Sequence, residues 1–529
     1  MAMLQLRRQL LSTPFQSLSG KCAAMSDGPD HTRRWLINAS GAALLSNALV
    51  GGPAYAQVTA APVAKVAQDA EEPAADAPIS PVTIALCEYV ATALDRDVPP
   101  EVVAKTKLHT LDTLAAMVSG SRLKAGKLAA HYVDGLGGKP EATVVGTRSL
   151  TSSVNAALAN GMSAHGDETD DSHLRGRFHP GCGIVPAALA TAEIADRSGN
   201  DMLRAVALGY DIGARLIFAL GFGKLYTERH STHSLSTTFG ATAAASAMLR
   251  LDSRGVRHAF SFASQQASGV PYWERDREHV EKAFDFGGMG ARNGVTAATM
   301  IASGFTGVDD FLSGTKNLFT AVGGEKPSPG ELTAELGKRY EIMNTSIKKW
   351  TVGSPLQSVL DAVAALLEDP AVRAGKVKRI VVDMPADRLH IVDNRTISDI
   401  CLQHLVAMMI VDGGVTFGSI HDAARMSDPK VLAVRKLVEA VPNQELVGAV
   451  PARQAIVKIE TIDGRTLNHR TYEVRGTPGN PMNADEVAAK ALDLMAPVLG
   501  TGRANELIAA VYKLDSFGPV SGLRRLLQA

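Results

Sequence analysis

Residues 201–221 read DMLRAVALGYDIGARLIFALG. Apolar residues recur there at spacings of three and four, and a glycine closes the run, so the stretch predicts an amphipathic helix. Its alanines and glycines leave little side chain between neighbours, which predicts closely packed helices. The same pattern extends in both directions: VVAKTKLHTLDTLAAMVSG at 102–120, TSSVNAALANGMSAHG at 151–166, GIVPAALATAEIADRSG at 183–199 and TTFGATAAASAMLRL at 237–251. From about Val82 to Arg339 the chain is predicted to be helical almost throughout.

The period changes near residue 340. VKRIVVDMP at 377–385 reads as a buried strand, and AIVKIETIDGRTLNHRTYEVRG at 455–476 reads as two strands around Asp463-Gly464, a strong hairpin signal. Between them SPLQSVLDAVAALLED and ISDICLQHLVAMMIVDGG are helical, and ADEVAAKALDLMAPVLG returns to the helical pattern. The expected fold is mainly α with an α+β lid. A large all-helical domain (82–339) is interrupted by a smaller α/β domain (340–476), and the C-terminal helices (477–529) rejoin the first. A cleft between two such domains is a preferred ligand site.

At 529 residues the chain exceeds one ordinary domain of about 100–200 residues. Lys+Arg and Asp+Glu each total 54, so no global field attracts nucleic acid or an anionic membrane. HTRRWLINASGAALLSNALVGGPAYAQ at 31–57 sets Arg33 and Arg34 before a run of small apolar residues and the small-x-small pattern Ala54-Tyr55-Ala56. These features predict a twin-arginine signal peptide over 1–56, removed near Gln57, and periplasmic localisation with no stable membrane anchor after cleavage. Met25 would give a leader of ordinary length. The Ala/Pro/acid-rich stretch 57–81 reads as a disordered linker. Cys87, Cys182 and Cys401 remain after the leader is lost, in no pattern that makes a disulfide framework or a zinc site.

Titratable residues concentrate in AHGDETDDSHLRGRFHPGCG, Ala164–Gly183. If its first part ends a helix, Asp170 and Asp171 diverge by about 100°, whereas Glu168 shares a face with Asp171 or Ser172. Pro180-Gly181 opens a new helix and sets His179 beside its positive end, a corner suited to a carboxylate ligand. Three readings stay open at this point. His165, His173 and His179 with the aspartates could hold a metal, though without the i, i+4 spacing of a helical metal site; the group could be caps and salt bridges at a loop; or it could do acid–base work on an anionic substrate. RHSTHSLSTTFGATAAAS at 229–246 places His230 and His233 at another helix start. EKAFDFGGMGARNGVTAATMIASGFTG at 281–307 brings Lys282 to a glycine-rich helix start, where close packing accounts for the glycines better than a nucleotide loop does.

AHGDETDDSH, HPGCGIVPAALATAE, SGNDMLRAVALGYDIGARL, TTFGATAAA, GARNGVTAATMIASGFTG, DGGVTFGSI and RGTPGNPMNADEVAAKA follow in order from residue 164 to 491. In these the chain resembles the MmgE/PrpD family, which includes 2-methylcitrate dehydratase, cis-aconitate decarboxylase and an iminodisuccinate epimerase. The resemblance implies a homodimer and chemistry without metal or cofactor on a small di- or tricarboxylic acid. It places the family's acidic position on Glu168, its hydroxyl position on Ser172, its histidine before Pro-Gly on His179 and its lysine on Lys282; His230 and His233 both match the helix-start histidine. Where relatives often carry a histidine and a tyrosine, this chain has Gln357 and His404. Glutamine is neither acid nor base, so His404 is the candidate replacement from another wall, and a different reaction is the alternative. The catalytic candidates are thus Glu168, His179, His230, His233, Lys282 and His404, and the substrate-binding candidates Asp171, Ser172, Lys349 and Gln357. The expected activity is that of a hydro-lyase, dehydratase-like, acting by proton abstraction next to a carboxylate. Epimerisation or decarboxylation on the same scaffold, a metal-dependent hydro-lyase and a non-catalytic carboxylate receptor are the rivals.

Overall fold

The computed structural model describes residues 78–221 and 229–529. The predicted leader and nearly all of the predicted linker lie outside the described residues. Among the described residues no helix is long and apolar enough to cross a membrane.

The molecule is mainly helical with small sheets, as the sequence predicts. The elements that bear on function are, in chain order, α1 (Pro100–Gly120), α2 (Ser153–Ala164), β1 (Ser172–His173), α3 (Gly181–Ile194), α4 (Gly199–Leu220), α5 (Thr232–Met248), α6 (Met289–Ala302), β2 (Thr345–Ser346), α7 (Gln357–Leu366), β3 (Val377–Pro385), α8 (Leu402–Asp412), α9 (Pro429–Arg435), β4 (Val438–Asn443), β5 (Ala455–Thr461), β6 (Thr466–Thr471) and α10 (Ala484–Leu499). Their ends follow local chemistry. Pro100 opens α1 at a position whose N–H would be unpaired anyway, Ser198 and Asp201 form a capping box on α4, and Asn483 and Glu486 do so on α10.

Alanine and glycine let the helices approach to backbone contact. A Cβ added at Gly209 of α4 would lie 2.9 Å from the Gly240 carbonyl of α5, and one at Gly240 would lie 2.6 Å from the Gly209 carbonyl. Gly161 of α2 and Gly287 exclude each other's Cβ in the same way, at 2.7 and 2.2 Å from carbonyl oxygens. Burial of apolar surface at such short range supplies both transfer free energy and dispersion contacts.

Among the described residues two extensive sets of buried apolar side chains result, with smaller clusters beside them. The first runs from Leu86 to Ile347 and resumes with Phe417 and with Met482 to Leu527; the second comprises residues between Val352 and Ile459. The second surrounds a four-stranded sheet in the order β4-β3-β5-β6. The predicted hairpin is present as β5–β6, with Ala455 opposite Thr471, Glu460 opposite Thr466, and Gly464 at φ +89° in the turn. Its second strand ends at Thr471, short of the predicted Gly476. Sequence reading missed β4, which pairs in parallel with β3 and buries none of its six residues fully, so it carries no apolar run. It also missed β1 and β2, two-residue strands with Ser172 opposite Ser346 and His173 opposite Thr345.

Inside the helical part Arg215 is wholly buried. Its Nε lies 2.9 Å from Asp211 one turn earlier, and its other nitrogens donate to the carbonyls of Glu331, Ala334 and Arg339. The segment 331–339 is therefore tied to α4 by one side chain. Replacing Arg215 by Met strands a buried carboxylate and three carbonyls, and should cost about 3–5 kcal/mol. Thermal unfolding checks it: a midpoint within a degree of the parent would show that the guanidinium is not the tie.

Candidate active site

α2 ends at Ala164 with His165 as its C-cap, so 166–171 is a loop, and the helical face predicted for Glu168 with Asp171 or Ser172 does not exist. The loop instead turns its acids in different directions. Asp171 points into the helical core, where Oδ2 accepts from Tyr210 Oη at 2.6 Å and lies 2.7 Å from His109 Nδ1, while Oδ1 accepts from the Gly181 N–H at 2.9 Å. It clamps the start of α3, and both of its oxygens are occupied by these partners rather than turned toward the imidazoles. The predicted divergence of Asp170 from Asp171 is observed: Asp170 accepts from His165 Nδ1 at 2.9 Å and from His179 Nδ1 at 3.0 Å. Burial would raise the Asp170 carboxyl, but those two imidazoles hold it well below its usual range.

Glu168 faces the same side. It pairs with Lys282, and Lys348 Nζ donates to its carbonyl oxygen at 2.7 Å while standing 3.7 Å from both Glu168 Oε2 and Asp170 Oδ1. Against its burial, the two ammonium groups hold Glu168 well below the carboxylate range. Lys348 was missed in favour of Lys349. The β1–β2 pairing runs the chain antiparallel to the acidic loop, and two residues beyond Ser346 the side chain turned inward is that of Lys348. Lys349 turns away, with its Nζ 4.5 Å from the Trp350 ring centroid. Ser172 is buried within β1 itself.

Lys282 stands in a short helix just ahead of a π-helical turn, Phe284–Gly288, which carries Phe286 and leads into α6. Such turns are rare and displace side chains from regular helical positions. Phe286 stacks on His233 with ring centroids 3.5 Å apart and on His165 at 4.4 Å; His179 lies 5.4 Å away, and His279 lies 5.1 Å from His165. Trp273 closes the group edge-on to His233 at 5.7 Å. Burial lowers His179 to about 4 and His279 to about 3, and it lowers His233 as well, aided by His179, His165 and Lys282. These imidazoles are neutral bases near pH 7. Of the two helix-start histidines, His233 joins the cluster from the first turn of α5, whereas His230 stands half-buried ahead of that helix.

Two residues from segments beside the second core bear on the acidic loop, and sequence reading singled out neither as a site residue. Asp399, buried, is pushed up to about 7 by burial and then by Glu168 and Asp167. His421 Nε2 lies 3.3 Å from Asp167 Oδ2; burial alone would lower it, but this bond raises it to about 9. A group whose folded pKa lies above its reference value of 6.5 stabilises the fold fully below pH 6.5 and loses that contribution as pH rises through about 9. His421→Ala should therefore lower the melting temperature at pH 6 and make little difference at pH 10. An equal deficit at both would exclude the ion pair as its cause.

Two predicted residues stand away from the imidazole cluster and make local contacts. Gln357, at the start of α7, donates Nε2 to the Trp350 and Val352 carbonyls at 2.7 and 2.9 Å and accepts the Trp350 N–H at 3.1 Å. Its amide closes a loop. His404 is buried in α8 on the side of Ala407 and Met408, which pack on Val431 of α9. Burial and the charges of Arg435 and Arg425 lower it to about 4. It faces α9 and not the imidazole cluster.

A cavity of about 170 Å³ bounded by Trp273, Phe284 and Asp285 abuts the cluster. A larger one of about 520 Å³, lined by Val103, Leu108, Arg204 and Tyr512, touches none of these residues. The chemistry is placed by the titratable cluster, not by cavity size. Donor atoms of His165, Glu168 and His279 lie within 4.8 Å of one another, as do those of His165, Asp170 and Cys182. The cysteine sulfur donates to the His179 and Phe286 carbonyls at 3.2 and 3.4 Å, which marks it as a protonated thiol.

The chain is 25% identical over 480 residues to a cis-aconitate decarboxylase-like protein, oryM, of Aspergillus oryzae, covering 84% of this chain and 97% of that one. It is 24% identical over 445 residues to human cis-aconitate decarboxylase, covering 81% and 90%, and 24% identical over 399 residues to the mouse enzyme, covering 70% and 78%. Residues 84–330 match the MmgE/PrpD N-terminal domain and 350–516 the MmgE/PrpD C-terminal domain. With both domains matched in order around one buried cluster of acids, imidazoles and lysines, the chain belongs to the MmgE/PrpD family.

Proposed function

We propose that the protein is a lyase for a small di- or tricarboxylic acid, and that it decarboxylates an unsaturated tricarboxylate. The observation that carries the reading is the convergence of Lys282 and Lys348 on Glu168 inside a wall of buried imidazoles. Substrate carboxylates take over the lysine ammonium groups, which stabilise the charge that develops when the neighbouring bond breaks. Phe286 and Trp273 offer the departing carboxylate an apolar surface, where its charge is poorly solvated and carbon dioxide is favoured. The electron pair left on carbon takes a proton from Asp399, whose carboxyl is held near neutrality at about 7; solvent returns that proton. The names of the relatives support decarboxylation.

Dehydration is the second reading, favoured by a specific pairing. A neutral imidazole, His233 or His179, is a base for the α-proton, and Asp399 is an acid for the leaving hydroxyl. Groups whose environments push their pKa values apart divide acid and base work in this way. Incubation with cis-aconitate, citrate and 2-methylcitrate in deuterated water, followed by proton NMR, separates the two. Conversion of cis-aconitate to a product one carbon shorter with deuterium at the new C–H supports decarboxylation. New olefinic signals from citrate or 2-methylcitrate replace it with dehydration. Saturable binding without turnover would make the protein a carboxylate receptor.

Export is part of the proposal. Arg33-Arg34 and Ala54-Tyr55-Ala56 support a periplasmic product beginning near Gln57, and N-terminal sequencing of periplasmic protein from an expressing bacterium tests it.

A further inference from the structure

Two atoms of the cluster take no part in the steps above. Nε2 of His165 and Nε2 of His279 are both buried without a hydrogen-bond partner, a costly state for a ring nitrogen. Both belong to the set of donor groups, with Glu168, that lies within 4.8 Å. His279 reaches it from a non-glycine residue at φ +56°, an unfavourable conformation that persists only where the surroundings impose it. His165 already has the second contact common to metal-binding histidines, since its Nδ1 donates to the Asp170 carboxylate, which fixes the tautomer and leaves Nε2 bare. Two imidazoles and one carboxylate form a donor set that divalent transition ions accept.

We propose that His165, His279 and Glu168 bind one divalent transition-metal ion of the zinc type, and that its entry displaces Lys282 and stops turnover. Metal–donor bonds of about 2.0–2.2 Å require the donors to close by roughly an ångström or more from the 4.8 Å limit, which rotation of the loop-borne His279 supplies. A divalent ion on Glu168 sets a second, larger positive charge against the carboxylate that holds Lys282, and the repulsion between the two cations drives the ammonium away. The displaced ammonium has a place to go: it already lies 5.2 Å from the Phe286 and 5.5 Å from the Trp273 ring centroids, both aromatic faces that accept a cation. Metal and the active arrangement of Lys282 thus compete for one carboxylate. The binding claim stands on the donor set alone; only the loss of turnover rests on the lyase reading.

The test is zinc titration of the full chain, stripped with EDTA, by calorimetry and by metal analysis after desalting, with no substrate present. One tightly held zinc per chain is expected. His279→Ala, on a half-buried loop, should lose it, and Asp170→Asn should weaken it about 10–100-fold through His165. Lys282→Ala should bind zinc more tightly than the parent, because the competing cation is gone. That gain cannot come from a variant that merely fails to fold. No stoichiometric zinc in the parent, retention in His279→Ala, or weaker binding in Lys282→Ala overturns the proposal. Zinc binding with these dependences in a protein that turns over none of the carboxylates would sustain the site and sink only the lyase reading.

Discussion

Replacing Lys282 by alanine should lower kcat/KM by about 10²–10³, the usual cost of removing one preorganised donor from a site of developing charge. Among the described residues Lys282 is the cation that both pairs with Glu168 and faces the aromatic wall. Under the proposed mechanism its loss removes a substrate-carboxylate partner, and it releases Glu168 from one of the two ammonium groups that keep it ionised. The Glu168 carboxyl should therefore titrate higher in the variant. A folded carboxylate held below its reference value of 4.5 stabilises above pH 4.5 and loses that stability as pH falls, so the variant should also lose part of this dependence. Lys107→Ala is the control: its ion pair with the half-exposed Asp515 is remote from the cluster, and such surface pairs contribute about 0–1 kcal/mol. Steady-state rates on the substrate identified by NMR decide the matter. A Lys282→Ala rate within threefold of the parent would remove this residue from the mechanism.

Asp170→Asn should be as damaging to turnover and worse for the fold. One carboxylate accepts from two imidazole nitrogens and faces Lys348 at 3.7 Å. An asparagine has one carbonyl oxygen and an NH₂ that can only donate, so it satisfies one imidazole and forces the other to the opposite tautomer. The same exchange beneath a catalytic histidine elsewhere costs on the order of 10⁴ in kcat. About 10³ or more is expected here, with KM changed far less than kcat because the lysines remain. Breaking a buried charge cluster should also cost about 3–5 kcal/mol. Chemical denaturation and kinetics together test this, and a stable, fully active variant would show that Asp170 positions neither histidine. Glu168→Gln is informative beside it, because Glu168 holds lysines rather than imidazoles.

The fold class was legible because its causes are local. Ala/Gly-rich periods of three and four make helices that approach closely whatever their partners, and VKRIVVDMP and Asp463-Gly464 specify a strand and a turn within nine residues. What the sequence could not place were elements whose existence depends on a partner: β4 has no buried face of its own, and β1 and β2 are two residues each. The site divides along the same line. Glu168, His179, His233 and Lys282 stand in stretches whose composition marks them, and all four meet in one cluster.

Lys348 and Lys349 are adjacent and alike; only the antiparallel pairing of Ser172 with Ser346 decides which enters the site. Asp170 and Asp171 are equally alike, and the fold sends one to the imidazoles and the other to Tyr210 and the start of α3. His279 and His421 come from segments with no periodic signal, and Asp399 from the start of a helical stretch with nothing to mark it as a site residue; all three are placed by tertiary packing. By itself, then, the sequence determined which segments are helical, where a sheet begins and which loop gathers charge, since these follow from propensity and periodicity over a few residues. Which of two neighbouring side chains meets the buried charges, and with what pKa, was decided only by the tertiary structure, because burial and ion pairing are set by residues 100 or more positions apart, such as Glu168 with Lys282 and Lys348.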